Sequence, residues 1–128
     1  MEKLKFVGEQ MDVIAVPYEY GEWSSPVTYP YWVGEVSEDP PMSEDGAEES
    51  TMILTGFCRG KGAFMALETD KAKIRAHFDP VYGLRGETAA GSIAVFYDGA
   101  FPVPSGEAEL KKMEIHLKIK EWKGDNTI

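Results

Sequence analysis

Cys58, His77 and His116 are the residues of this chain whose types best suit nucleophilic or proton-transfer chemistry. A cysteine beside a histidine makes a thiolate nucleophile, the imidazole taking the proton. Cys58, however, ends the apolar run Thr51-Met52-Ile53-Leu54-Thr55-Gly56-Phe57-Cys58. A lone cysteine in such a run serves as a small buried hydrophobe. His77 stands at the end of a helical pattern, where it suits the helix dipole. His116 lies among lysines on the wet side of a strand pattern. No serine sits in a Gly-x-Ser-x-Gly elbow. The stretch Gly56-Phe57-Cys58-Arg59-Gly60-Lys61-Gly62 has the texture of a phosphate loop but lacks its spacing and its Gly-Lys-Ser/Thr ending. A strand-to-helix turn explains those glycines. One cysteine and two histidines build no zinc set. Ser43-Glu44-Asp45-Gly46 does not match a calcium loop. Nothing singles out a pair of carboxylates for glycoside hydrolysis. The expectation is a protein with no catalytic residue, no metal and no cofactor.

The elements that would position these residues belong to one domain. A chain of 128 residues can bury a real core. Its 43% hydrophobic and 12% aromatic content fits a folded protein. The 13 basic against 22 acidic residues leave a net charge of −9. That balance repels phosphate backbones and anionic lipid, so neither nucleic-acid nor membrane binding is expected. A single cysteine allows no intrachain disulfide and fits a reducing cytoplasm. No apolar run approaches the ~20 residues of a membrane span.

Along the chain, Leu4, Val7, Met11 and Ile14 recur at helical spacing and predict a helix over residues 2–15, ended by Pro17. Residues 17–30 form an aromatic, proline-containing arm with Trp23 and Tyr29. Its rings either cover a core edge or reach a partner. Tyr31 to Val36 reads as a strand. An acidic hairpin loop over 35–50 follows, carrying Glu44, Asp45, Glu48 and Glu49. Charge runs of this kind are usually solvated or partner-facing. Thr51 to Cys58 is the return strand. Residues 63–78 predict a second helix with Phe64, Leu67, Ile74 and Phe78 on one face and Lys71 at its margin. Residues 80–91 read as a glycine-rich connection, and Ser92 to Tyr97 as a central strand turned by Asp98-Gly99. Met113, Ile115, Leu117 and Ile119 then alternate with Lys112, Glu114, His116, Lys118 and Lys120, in a C-terminal strand over 110–122 that includes Trp122. The predicted class is α+β: an antiparallel or mixed sheet of about four strands with two helices on one face, in the order α-β-β-α-β-β.

That order resembles the tail terminator, or tail completion, proteins of long-tailed bacteriophages and prophages. The likeness lies in the N-terminal helix, Tyr29-Pro30-Tyr31-Trp32-Val33-Gly34, the polar hairpin before Met52-Ile53-Leu54-Thr55-Gly56-Phe57, and the helix Phe64 to Phe78. It continues through Val95-Phe96-Tyr97, Phe101-Pro102-Val103-Pro104 and the closing strand to Lys120-Glu121-Trp122. The resemblance implies a non-enzymatic subunit that joins copies of itself in a ring, possibly six. The ring would sit at the head-proximal end of the tail tube, stop its growth and meet the head connector. It implies residence in the bacterial cytoplasm during assembly and then in the virion.

A closed ring needs two different patches per subunit. Trp23, Tyr29, Tyr31, Trp32, Phe101 and Trp122 are the candidate interface residues, and Glu44, Asp45, Glu48 and Glu49 the candidate lumen or partner-facing acids. The competing readings are another neck or tail component, a small module that captures a peptide or ligand with the aromatic arm, and an enzyme of unrecognised type.

Overall fold

Alternation along the C-terminal segment makes it the spine of a sheet. The computed structural model describes residues 2–24, 26–38, 48–89 and 91–123. In chain order the elements are α1 (Glu2–Val13), β1 (Tyr18–Tyr20), β2 (Tyr31–Glu38), β3 (Glu48–Arg59), α2 (Ala63–His77), β4 (Leu84–Thr88), β5 (Gly91–Val103) and β6 (Leu110–Lys123). The strands form one sheet in the order β1-β2-β3-β6-β5-β4. β1 pairs parallel with β2, and every other pairing is antiparallel. The class is α+β, as the periodicities predict.

The expected four strands and the order α-β-β-α-β-β need correction. β1 and β4 are additional, and both lie at sheet edges. β1 has three residues, too few to show a period, inside what read as an arm. β4 is Leu84-Arg85-Gly86-Glu87-Thr88, polar and glycine-containing, and is held by its register on β5. Asp98-Gly99 is not a turn but an irregularity within β5, between Tyr97 and Ala100. Gly99 has a φ of 121°, a conformation that glycine adopts without strain. β2 and β3 are also longer than expected, so Glu48 and Glu49 belong to a strand rather than to the acidic loop. The loop itself, including Glu44 and Asp45, lies outside the described residues.

The inner face of the sheet carries Trp32 on β2, Met52, Leu54 and Cys58 on β3, Met113, Ile115, Leu117 and Ile119 on β6, and Ile93 and Val95 on β5, all buried. Register sets Leu54 beside Ile115, Met52 beside Leu117, and Ile119 beside Val95. α2 packs across the middle strands β3, β6 and β5. α1 touches both β1 and β4, the two opposite edges. One helix reaches both edges only if the sheet curls around it. Gly86 makes the β4 contact possible, since a Cβ there would stand 2.5 Å from Phe6 Cε1. Gln10 Oε1 and His77 Nε2 lie 2.7 Å apart and tie the two helices together.

Helix faces differ from expectation at two positions. Asp70, which the periodicity does not place on the inner face, is buried in the middle of α2, while Lys71 lies half-buried at the margin as expected and pairs with Glu68 at 2.7 Å. Phe64 turns outward, 41% exposed. α1 stops at Val13 rather than at residue 15 because Ala15 takes a left-handed φ of 57°. The Val16 amide donates to the Met11 carbonyl at 3.0 Å and the Ala15 amide to Asp12 at 3.1 Å, the two bonds of a Schellman cap. Glycine fits that position better than alanine. Ala15→Gly is therefore expected to stabilise the fold by about 0.5–1 kcal/mol, the left-handed strain relieved exceeding the added chain entropy. A lower urea midpoint for this variant would contradict that balance.

Ser50 sits on the inner face opposite Ile119, 1% exposed, and its hydroxyl has no partner among the described residues. Burying an unpaired hydroxyl costs free energy. Ser50→Ala should raise stability by about 1 kcal/mol, read as a higher urea midpoint at unchanged slope. A lower midpoint would mean that the hydroxyl contributes a bond.

Candidate functional site, the outer face of the sheet

Period two places every second residue of β2, β3 and β6 on the face away from the helices. Register then joins them in rows across the strands. Tyr31, Phe57 and Lys112 form one row, Val33, Thr55 and Glu114 the next, and Glu35, Ile53 and His116 the third. Phe101 on β5 extends the second row beside Glu114.

The first row is a ladder of rings. Tyr31 and Phe57 stack with centroids 5.0 Å apart. Trp23 leans on Tyr31 at 4.8 Å, and Tyr29 approaches the same ring at 5.7 Å. Lys112 Nζ closes the row 5.5 Å above the Phe57 centroid, a cation–π arrangement. Burial first, and the neighbouring Tyr29 second, raise the Tyr31 phenol above its ordinary pKa, so it stays neutral at physiological pH. Local sequence explains how Trp23 arrives there. β1 and β2 run parallel, so residues 21–30 must cross back over the sheet. The Glu19 carboxylate pins that crossover by accepting from the Ser24 amide at 3.0 Å and the Ser24 hydroxyl at 2.8 Å. The Tyr29–Pro30 peptide is cis. Trp23 with Tyr31, Val33, Ile53 and Phe57 lines an open groove of about 570 Å³.

The candidate interface residues do not all meet. Trp23, Tyr29 and Tyr31 share the ladder. Phe101 lies in the next row and two strands over from Phe57, 46% exposed and edge-on to His116 at 5.3 Å. Trp122 stands at the far end of β6, opposite Ser92. Trp32 must be withdrawn from the set. It points to the inner face, fully buried, and its indole N–H donates to Asp70 Oδ2 at 2.9 Å. Neighbours on a strand face opposite ways, so Tyr31 and Trp32 cannot both be surface residues. Glu48 lies opposite Glu121 at the start of β3, and Glu49 sits 3.8 Å from Lys118 and 3.9 Å from Lys120. Glu44 and Asp45 lie outside the described residues. Phe57 and Lys112 complete the ladder without having been singled out. The alternation Met52, Leu54, Gly56, Cys58 inward would have placed Phe57 outward.

The nucleophile candidates occupy other places. Cys58 is buried, and desolvation pushes its thiol pKa up, away from the reactive thiolate. His77 meets Gln10 and the edge of Phe78, and His116 lies 3.2 Å from Glu114 Oε1. Among the described residues no three His, Cys, Asp or Glu side chains cluster so as to hold a metal. Among them, too, no helix is long and apolar enough to cross a membrane. The arrangement can bind through ring stacking and apolar contact, with Lys112, Glu22, Glu35 and Glu114 at its border.

No protein-family model matches the chain, and no curated protein matches it in sequence. The fold does recur, with 10 solved chains matching it. One of them superposes with a TM-score of 0.65 at 13% identity, covering 88% of this chain and 84% of its own. Its name states no activity or partner. At that identity the likeness is one of fold.

Proposed function

We propose that this chain is a non-enzymatic structural subunit that works by packing its outer sheet face against another protein. The observation that carries this reading is the ring ladder Trp23–Tyr31–Phe57 with Lys112, on a sheet face that no helix among the described residues covers. Tryptophan, tyrosine and phenylalanine are the residues enriched at interface cores, and tryptophan and tyrosine at their hot spots. The order of elements, which resembles that of phage tail terminators, suggests the setting. There a ring of copies would end the tail tube and meet the head connector, first in the bacterial cytoplasm and then in the virion.

A second reading is capture of an extended peptide by a single copy. The groove of about 570 Å³ beside Trp23 favours it.

The test is electron microscopy of the purified full chain, alone at high concentration and with tail-tube protein, beside the variant Tyr31→Ala/Phe57→Ala. Closed rings or capped tubes are expected for the parent. The variant should keep its circular dichroism and lose tube binding at least tenfold, since anchor residues contribute about 2 kcal/mol or more each. Tube capping unaffected by the two substitutions would remove the ladder from the interface. A chain that stays single throughout and binds peptides would favour the second reading.

A further inference from the structure

A ring contact requires two unlike patches on each subunit, and α2 carries one beyond each end. After its C-terminus the chain makes a tight turn, Asp79-Pro80-Val81-Tyr82-Gly83. Asp79 Oδ1 accepts from the Val81 amide at 2.7 Å and the Tyr82 amide at 2.8 Å, and the Gly83 amide donates to the Asp79 carbonyl at 2.9 Å. Gly83 takes a φ of 73° with the Phe96 ring packed where a Cβ would stand, so the turn rests on the sheet. The turn holds up two apolar side chains, Val81 at 71% and Tyr82 at 75% exposure. A knob already ordered loses little entropy on docking.

Beyond the other end of α2, Phe64, Pro102, Val103, Pro104 and Leu110 line an apolar groove of about 720 Å³ at the open end of the β5–β6 hairpin. Phe64 and the adjacent Met65 are 41% and 70% exposed. Lys111 and Lys112 stand on the groove wall, with Glu107, which lies 3.4 Å from Arg59. α2 runs from Ala63 to His77, so about 20 Å of helix separates Phe64 in the groove from the helix end that carries the knob, and one copy does not fill its own groove.

We infer that the Val81–Tyr82 knob of one copy seats in the Phe64–Pro104–Leu110 groove of the next, with Asp79 meeting the Lys111 side of the wall. The two patches differ, an apolar knob beside the single carboxylate of Asp79 and an apolar groove walled by Lys111 and Lys112 with Glu107, so the contact is head-to-tail and propagates. This deepens the subunit reading above and rests on it. Two side chains bury far less than the ~1,000 Å² of a stable interface, so the contact forms at high concentration or around a template.

The test uses full-length chains carrying Cys58→Ala, which removes the one native thiol. Val81→Cys and Pro104→Cys are made in separate chains, which leaves Tyr82 and Phe64 in place. Mixed at millimolar concentration under mild oxidation, they should form a covalent heterodimer. Each alone should give at least tenfold less dimer, and the double variant a ladder of oligomers. Adding Tyr82→Asp to the Val81→Cys chain should cut the heterodimer at least tenfold. A heterodimer yield no greater than that of Val81→Cys mixed with Lys73→Cys, on the exposed side of α2, overturns the inference. So does equal dimerisation of Val81→Cys alone, which signals a symmetric contact. If crosslinking fails while rings still form, the ring uses another interface and the subunit reading stands. If neither forms, both fall.

Discussion

Trp32→Ala is expected to remove most of the stability of this fold. The indole is fully buried between β3 and α2, packed on Gly56 and donating to Asp70 Oδ2 at 2.9 Å. Deleting it leaves a cavity worth about 3–5 kcal/mol. It also strands a buried carboxyl group, a further loss of about 1–3 kcal/mol. Against a total of about 5–15 kcal/mol for a domain, the variant should unfold early in urea or fail to accumulate. Trp32→Phe separates the two costs. It keeps most of the ring volume and loses the hydrogen bond, so it should fall by about 1–3 kcal/mol alone. Equal losses for both variants would show that packing around the indole matters little.

Gly56→Val should be the second large effect, and it comes from the same contact seen from the other strand. Trp32 and Gly56 are register partners. A Cβ at position 56 would stand 2.6 Å from Trp32 Cη2 and 2.7 Å from Cδ2 and Cε2. Those atoms belong to a rigid ring locked by Asp70, so the neighbour cannot give. Overpacking of this kind costs about 1–3 kcal/mol, against a gain of at most about 1 kcal/mol from the better strand propensity of valine. The pair should therefore be strongly non-additive. With Trp32→Ala already present, Gly56→Val should cost little or become stabilising, because its side chain enters the space the indole left. Additive losses in the double variant would mean that the two residues do not share a contact.

This pair also marks how far local reading carries. By sequence, Trp32 belongs with Trp23, Tyr29 and Tyr31 as a candidate interface residue, because all lie in one stretch rich in rings. Strand geometry separates them: Tyr31 faces out into the ladder, Trp32 in. The alternation needed to see this is blurred in β2, where Gly34 takes an inward position and Tyr31 is as apolar as its neighbour. On β6 the same rule is unmistakable, because apolar and polar residues alternate over the nine positions from Lys112 to Lys120. α2 shows the limit for helices. Its buried stripe contains Asp70 and omits Phe64, which no hydrophobicity pattern can anticipate. Asp70 is buried because Trp32, 38 residues earlier, offers it a hydrogen bond.

Residue order alone was enough for the α+β class, both helices within two residues of their ends, and the two-faced C-terminal strand. These are local properties, set by periods of 3.6 and 2.0 residues and by proline and glycine stops. The two edge strands, the curl that lets α1 reach both edges, and the inward turn of Trp32 arise from contacts between distant segments. So do the ladder of Tyr31, Phe57 and Lys112 and the separation of knob from groove across α2. Each depends on which strand pairs with which, and backbone pairing is nearly indifferent to side chains at an edge. That is why three residues at β1 and a polar run at β4 joined the sheet unannounced.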